Sequence, residues 1–160
     1  MIILTQDNKM RYTRNATQLW NKFIEENNIK DAYYEDWAFG GNPDKLLRLV
    51  LDGRKTATAS LNYWYKEKGE RRPEPGDYSV ILDSKGDAYC IIQTVKVYIK
   101  PFKEVSAEHA FKEGEGDLSL AYWRKVHEEF FKDELKDEEL KFSEDLEVVL
   151  EEFELKYILK

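Results

Sequence analysis

The sequence predicts an α+β domain built on a mostly antiparallel, curled sheet. The chain has 160 residues, 42% of them hydrophobic and 14% aromatic, enough to bury one core. Its β-rich runs gather in the second half and do not alternate with helices as regular βαβ units, which argues against a doubly wound parallel sheet. The two central runs, "DYSVILD" and "AYCIIQTVKVYI", are joined by hairpin turn residues at Ser84 to Gly86.

The elements follow in order. A helix spans Ala16 to Asn27, with Leu19, Trp20, Phe23 and Ile24 on one stripe and Asn15 as its cap. The aromatic cluster "DAYYEDWAFGG" comes next. In "NPDKLLRLVLDG" Asn42 caps a second helix, Pro43 takes its first position, Leu46, Leu47 and Val50 share a face, and Gly53 stops it. "DGRKTATASL", residues 52–61, is therefore a helix C-terminus feeding an extended segment. After the hairpin a short helix covers Ala107 to Lys112. Asp117 then caps a longer one, with Leu120, Trp123, His127, Phe130 and Phe131 on its apolar face. The closing "EEFELKYILK" alternates Phe153, Leu155, Tyr157 and Leu159 with mainly charged neighbours, as a half-buried strand does.

Charge and composition exclude several classes. Of 32 acidic and 25 basic side chains, 13 acidic and 3 basic lie in residues 128–154, so the rest of the chain carries 19 acidic and 22 basic groups. The acidic run reads as a solvated face. The net charge of -7 disfavours coating of long nucleic acid through counterion release, while leaving room for a localised basic cleft. One cysteine, Cys90, allows no internal disulfide and reads as a buried inert thiol, and two histidines form no metal cage without carboxylates. No metal or organic cofactor is expected. Without a long apolar stretch or a secretory leader pattern, the expected location is the cytoplasm, with no membrane association and no obligate protein partner inferred.

"GRKT" is not a phosphate loop, because Arg54 stands where glycine must precede the lysine and the order is helix then loop. No G-x-S-x-G elbow supports a serine triad. Lys55, Thr56 and Thr58 remain. In an extended segment Thr56 and Thr58 share one face and Lys55 and Ala57 the other, so a turn at Lys55 is needed to bring it beside Thr58. On the residues alone, Arg54 and Lys55 complementing a helix end, and threonines favouring a strand, explain the segment as well as chemistry does.

"GRKTATASL", "PGDYSVIL" and "EHAFKEGEGDLSLAYWRKVHEEFF", with "WAFGGNPD" upstream, together resemble the ASCH domain family, a branch of the PUA-like fold. The resemblance covers roughly residues 17–157. It implies a PUA-like small curled β-barrel flanked by helices, with residues 1–160 one domain and 1–41 an N-terminal helical extension packed on it. It also implies a cleft holding the G-x-K-x-x-T segment, here Gly53, Lys55 and Thr58, and a partner that is RNA or a modified nucleoside. Family members similar in this motif hydrolyse the amide of N4-acetylcytidine. Their pattern falls on Lys55, Thr58 and Glu113, which implies Thr58 as nucleophile, Lys55 as its base and Glu113 as the group that positions the lysine or assists proton transfer. Gly53, Arg54, Thr56 and Ser60 of the motif segment, with Trp37 and Tyr63 as nearby aromatics able to stack on a base, are the expected substrate-binding residues; Ser60 stands where the short amidohydrolases carry arginine. A non-catalytic RNA-binding module and a metal-independent ribonuclease on single-stranded RNA are the alternatives.

Overall fold

The computed structural model describes residues 15–159 and the backbone of 2–4 and 10–12; the rest of the first 14 residues, which open the expected 1–41 extension, lies outside the described residues. Strands β1 (Ile2–Leu4) and β2 (Met10–Tyr12) pair antiparallel. Helix α1 (Ala16–Glu26) begins where the Asn15 side chain accepts from the backbone N–H groups of Thr17 and Gln18, satisfying donors that the first turn leaves open. Strand β3 (Tyr34–Trp37) follows within the stretch expected to be helical extension. Helix α2 (Pro43–Leu51) starts at the Asn42 cap with proline in the first turn, and Gly53 leaves it at φ +75°.

Strand β4 (Ala57–Leu61) runs directly into the short helix α3 (Asn62–Lys66). The hairpin of β5 (Tyr78–Leu82) and β6 (Ala88–Pro101) matches the sequence reading. Helices α4 (Ala107–Glu113) and α5 (Leu120–Glu134) lead to β7 (Glu147–Ile158), which begins well before the alternating tail that announced it. One capping expectation is corrected. Ser119, not Asp117, caps α5, accepting from Tyr122 N–H at 3.0 Å. Leu118 at φ 69° breaks the helical path, so Asp117 instead closes a turn by accepting from Ser119 N–H at 2.9 Å.

Strands β3 to β7 form a five-stranded sheet, separate from the β1–β2 pair, in the order β3-β5-β6-β7-β4 and antiparallel apart from the β3–β5 pair. The α+β class with a curled sheet flanked by helices is as predicted. The sheet is open, however: β3 and β4 occupy its two edges and are not laddered to each other.

Alternation along the strands distributes the core. Val80 and Ile91 point towards α1 and pack with Leu19, Trp20 and Phe23. Ile81, Cys90, Ile92 and Phe153 point the other way and pack with Phe39 and with Leu47 and Val50 of α2. A third cluster joins Leu61, Val148 and Leu150 to Phe102 and to Trp123 and Phe131 of α5. Cys90 is fully buried, and burial pushes its thiol up to about 12, as expected of an inert core cysteine.

On the face shared by Ile81, Ile92 and Phe153, the positions two residues along each strand are polar. They are Ser79, Thr94 and Glu151, and all three line a cavity beside the apolar cluster. The concave side of the sheet therefore changes from sealed core to polar pocket within one residue pair on each strand.

Candidate functional site

The cavity has a volume of about 740 Å³. Residues from both edge strands line it, Trp37 of β3 and Thr58 and Ser60 of β4, so the curl of the sheet brackets the space. Tyr33, Phe39, Tyr65 and Phe130 supply further aromatic surface. A flat heterocycle suits such walls.

The polar lining is dominated by carboxyls: Glu35, Asp36, Glu70, Asp77, Glu134 and Glu151. Arg71 is the sole cation of the lining, and Asp77 holds it in a two-point contact of 2.7 and 3.0 Å. Glu151 is 9% exposed. Burial pushes its carboxyl above the usual range, and the charges of Asp77 and Glu35 add to that, against the hydrogen bond from Thr94 Oγ1 to Glu151 Oε1 at 2.6 Å. Burial raises Glu134 likewise, and it raises the Tyr65 phenol, which shares a 2.8 Å hydrogen bond with Ser60.

In the β4–β7 ladder Thr58 stands directly opposite Glu151. Opposed residues on an antiparallel pair share a face with Cβ atoms about 5 Å apart. The sequence marked Thr58 but not its neighbour, because Glu151 belongs to the acidic 128–154 run. That run is corrected here: Glu151 is buried on the cavity wall, because Glu151 and Glu152 are adjacent in a strand and must face opposite sides. Glu152 takes the other side and accepts from Lys112 Nζ at 2.6 Å.

Lys55 and Glu113 meet in a separate buried network. Lys55 is 2% exposed and Glu113 1%. Lys55 Nζ lies 3.3 Å from Glu113 Oε1, 3.4 Å from the Glu113 carbonyl and 3.4 Å from Glu115 Oε2. An ammonium has three protons, and these acceptors use all of them. The Phe39 ring centroid lies 5.3 Å from Nζ. Glu113 Oε2 also accepts from His109 Nε2 at 2.9 Å and from Trp123 Nε1, while His127 Nε2 approaches Oε1 at 3.4 Å. Burial alone raises the Glu113 carboxyl, but Lys55 and His127 outweigh it and hold the group well below the usual carboxylate range. Burial lowers His127, and Glu113 more than reverses this, leaving it above its ordinary value. With Nδ1 donating to the Trp123 carbonyl at 2.9 Å and the ring stacked on Trp123 at 4.1 Å, His127 is held in place as a structural partner of Glu113.

The structure thus brings Lys55 to Glu113, with Thr58 outside their hydrogen bonds and in the wall of the cavity. Ser60 and Trp37 join Thr58 there. Gly53, Arg54 and Thr56 are exposed, and Thr56 bonds the Lys112 carbonyl through both N–H and Oγ1. Tyr63 lies in another groove of about 470 Å³ and donates to Glu138. His127, read from its spacing as part of an apolar stripe, is paired as well as buried. Glu113, Glu115 and His127 have donor atoms within 4.8 Å of one another, an arrangement that suits a cation. Lys55 Nζ already meets that need within 3.4 Å of both carboxylates. No helix among the described residues is long and apolar enough to cross a membrane.

A family model for the ASCH domain matches residues 35–157. The chain belongs to the ASCH domain family. The match spans every residue of the cavity wall and of the Lys55 network except Tyr33. Two solved structures are similar to this ASCH domain over most of their length. One is an ASCH domain from Lactobacillus crispatus JV V101, 31% identical, TM-score 0.83, covering 88% of this chain and 93% of that one. The other is a protein from Enterococcus faecalis V583, 35% identical, TM-score 0.83, covering 90% and 89%. No curated protein matches the chain. ASCH domains are PUA-like, a fold often linked to RNA binding.

Proposed function

We propose that this ASCH domain binds a modified nucleoside in the cavity and hydrolyses an exocyclic amide of the N4-acylcytidine kind, with Thr58 attacking the acyl carbon. One observation carries the reading: Thr58 sits in the wall of an aromatic-lined cavity whose size suits a nucleoside and whose cation is already bound by Asp77. A phosphate in that space meets carboxyls on several sides and gains no free cation, which favours an uncharged nucleoside over a strand threaded by its backbone. Lys55 and Glu113 fix the segment that leads into β4. In the resting protein the lysine is a donor to three acceptors, so it acts as a positioning residue.

The test is chromatography of N4-acetylcytidine incubated, in chelator, with wild type and with Thr58→Val, which keeps the strand's shape and deletes the hydroxyl. Wild type should release cytidine, and the variant should lose about a hundredfold or more of the rate. Equal release by the two proteins refutes Thr58 as nucleophile. Saturable nucleoside binding without release leaves a binding module, and cleavage of single-stranded RNA in its place makes the protein a ribonuclease.

A further inference from the structure

We propose that Glu151 is the acid–base residue of this cavity, exchanging a proton with the Thr58 hydroxyl and then with the leaving nitrogen. The inference rests on the amide-hydrolase reading and deepens it.

A threonine hydroxyl needs a neighbouring base to attack a carbonyl. Lys55 is the obvious candidate by sequence distance, yet its three protons are committed to Glu113 and Glu115 and it does not line the cavity. Glu151 is the residue opposite Thr58 across the ladder, on the same face and in the same wall. Thr94 Oγ1 holds its Oε1 at 2.6 Å, which fixes the carboxyl plane and leaves Oε2 without a hydrogen-bond partner among the described residues. Burial above the usual carboxylate range brings such a group towards the working pH of an acid–base catalyst. The groups facing it from the packed elements are Glu35 of β3, Asp77 ahead of β5 with Arg71 bound to it, Tyr65 of α3 and Glu134 of α5.

The steps balance. The Glu151 carboxylate takes the Thr58 hydroxyl proton as Oγ1 bonds to the acyl carbon. The C–N bond then breaks, and the protonated Glu151 returns that proton to the exocyclic nitrogen, releasing cytidine and leaving an ester on Thr58. Water attacks the ester, Glu151 removes its proton and returns it to Thr58 Oγ1, and the carboxylic acid departs.

The experiment measures kcat and KM of wild type, Glu151→Gln, Glu151→Asp and Glu151→Ala on N4-acetylcytidine across pH. Glutamine still accepts from Thr94, so Glu151→Gln retains the wild-type urea midpoint to within a small shift. Its kcat should fall about a hundredfold or more with KM changed less than about threefold. Wild-type kcat/KM should fall on the acid side with a limb above the ordinary carboxyl value of 4.5. Glu151→Asp should keep measurable turnover with that limb displaced, and formate should restore part of the Glu151→Ala rate. A Glu151→Gln rate within about fivefold of wild type, or a Glu151→Ala loss that formate leaves unchanged, overturns the assignment. Absence of turnover by wild type overturns the hydrolase reading itself, and this step with it.

Discussion

Replacing Lys55 by methionine removes a charge from the interior while keeping most of the side chain's length. Glu113, 1% exposed, is then left with the His109 and Trp123 donors and the more distant His127. Breaking a buried ion pair by deleting one partner costs about 3–5 kcal/mol. The Lys55 contacts are all 3.3–3.4 Å, long for charge-assisted bonds, and His127 retains part of the compensation. We therefore expect the low end, about 3 kcal/mol. At about 2–4 °C per kcal/mol for a chain of this size, the melting temperature should fall about 6–12 °C. Urea unfolding followed by tryptophan fluorescence reads the loss directly. Lys55→Met with Glu113→Gln should cost less than the sum of the single changes by about 1 kcal/mol or more. The pH dependence has a definite sign. Glu113 is held below its ordinary 4.5, so its contribution is present above that pH and is lost as pH falls towards the folded value. In Lys55→Met the folded carboxyl rises back towards that value, so the acid-side loss should be smaller and the stability gap to wild type should narrow as pH falls below 4.5. A single-variant loss below about 1 kcal/mol, or strict additivity, would refute the argument that this pair compensates a buried charge. The same numbers mean that lost activity in Lys55→Met would report stability first, which is why Thr58→Val is the cleaner probe of the chemistry.

Two further outcomes follow from the network and its surroundings. His127 stands above its ordinary 6.5, so its contribution is full below that pH and is lost as pH rises through the folded value; the stability gap between wild type and His127→Gln should be wider at about pH 6 than at about pH 9, and a constant urea-midpoint difference would sink this reading. Gly53 and Gly114 share φ +75°, but a Cβ on Gly53 meets nothing within 4 Å while one on Gly114 would lie 2.4 Å from the Arg54 carbonyl oxygen. Gly53→Ala should cost about 1 kcal/mol and Gly114→Ala about 2 kcal/mol or more in urea unfolding, and equal losses would show that the close approach carries no weight.

Local signals carried much of the architecture. Asn15, Asn42, Pro43 and Gly53 mark helix ends because capping and left-handed backbone depend on single residue types. The Ser84–Gly86 turn joined the central hairpin for the same reason. The β3–β5 pairing is parallel, and no hairpin turn announces it, so the sequence left it unseen. Lys55 and Glu113 lie 58 positions apart; the family resemblance put them together, whereas composition and periodicity alone did not. His127 was hidden in an apolar stripe, since helical spacing reports which face is buried and not what is buried with it. Glu151 was hidden by its acidic neighbours. Its one local signal was the Glu151-Glu152 pair inside a strand, where alternation sends one carboxyl to each side. Opposition to Thr58 depends on the β4–β7 register, which only the assembled sheet defines.

Strands β3 and β4 bound the cavity without a ladder between them, so the wall has a seam that no strand pairing closes. Changes at Trp37, Ser60 or Phe130 can widen or narrow the opening while every strand pair in the sheet stays intact. The bore of the pocket is thereby decoupled from the pairing of the strands, and relatives can differ in the bulk of what they admit without redesigning the sheet that holds Thr58 and Glu151 face to face.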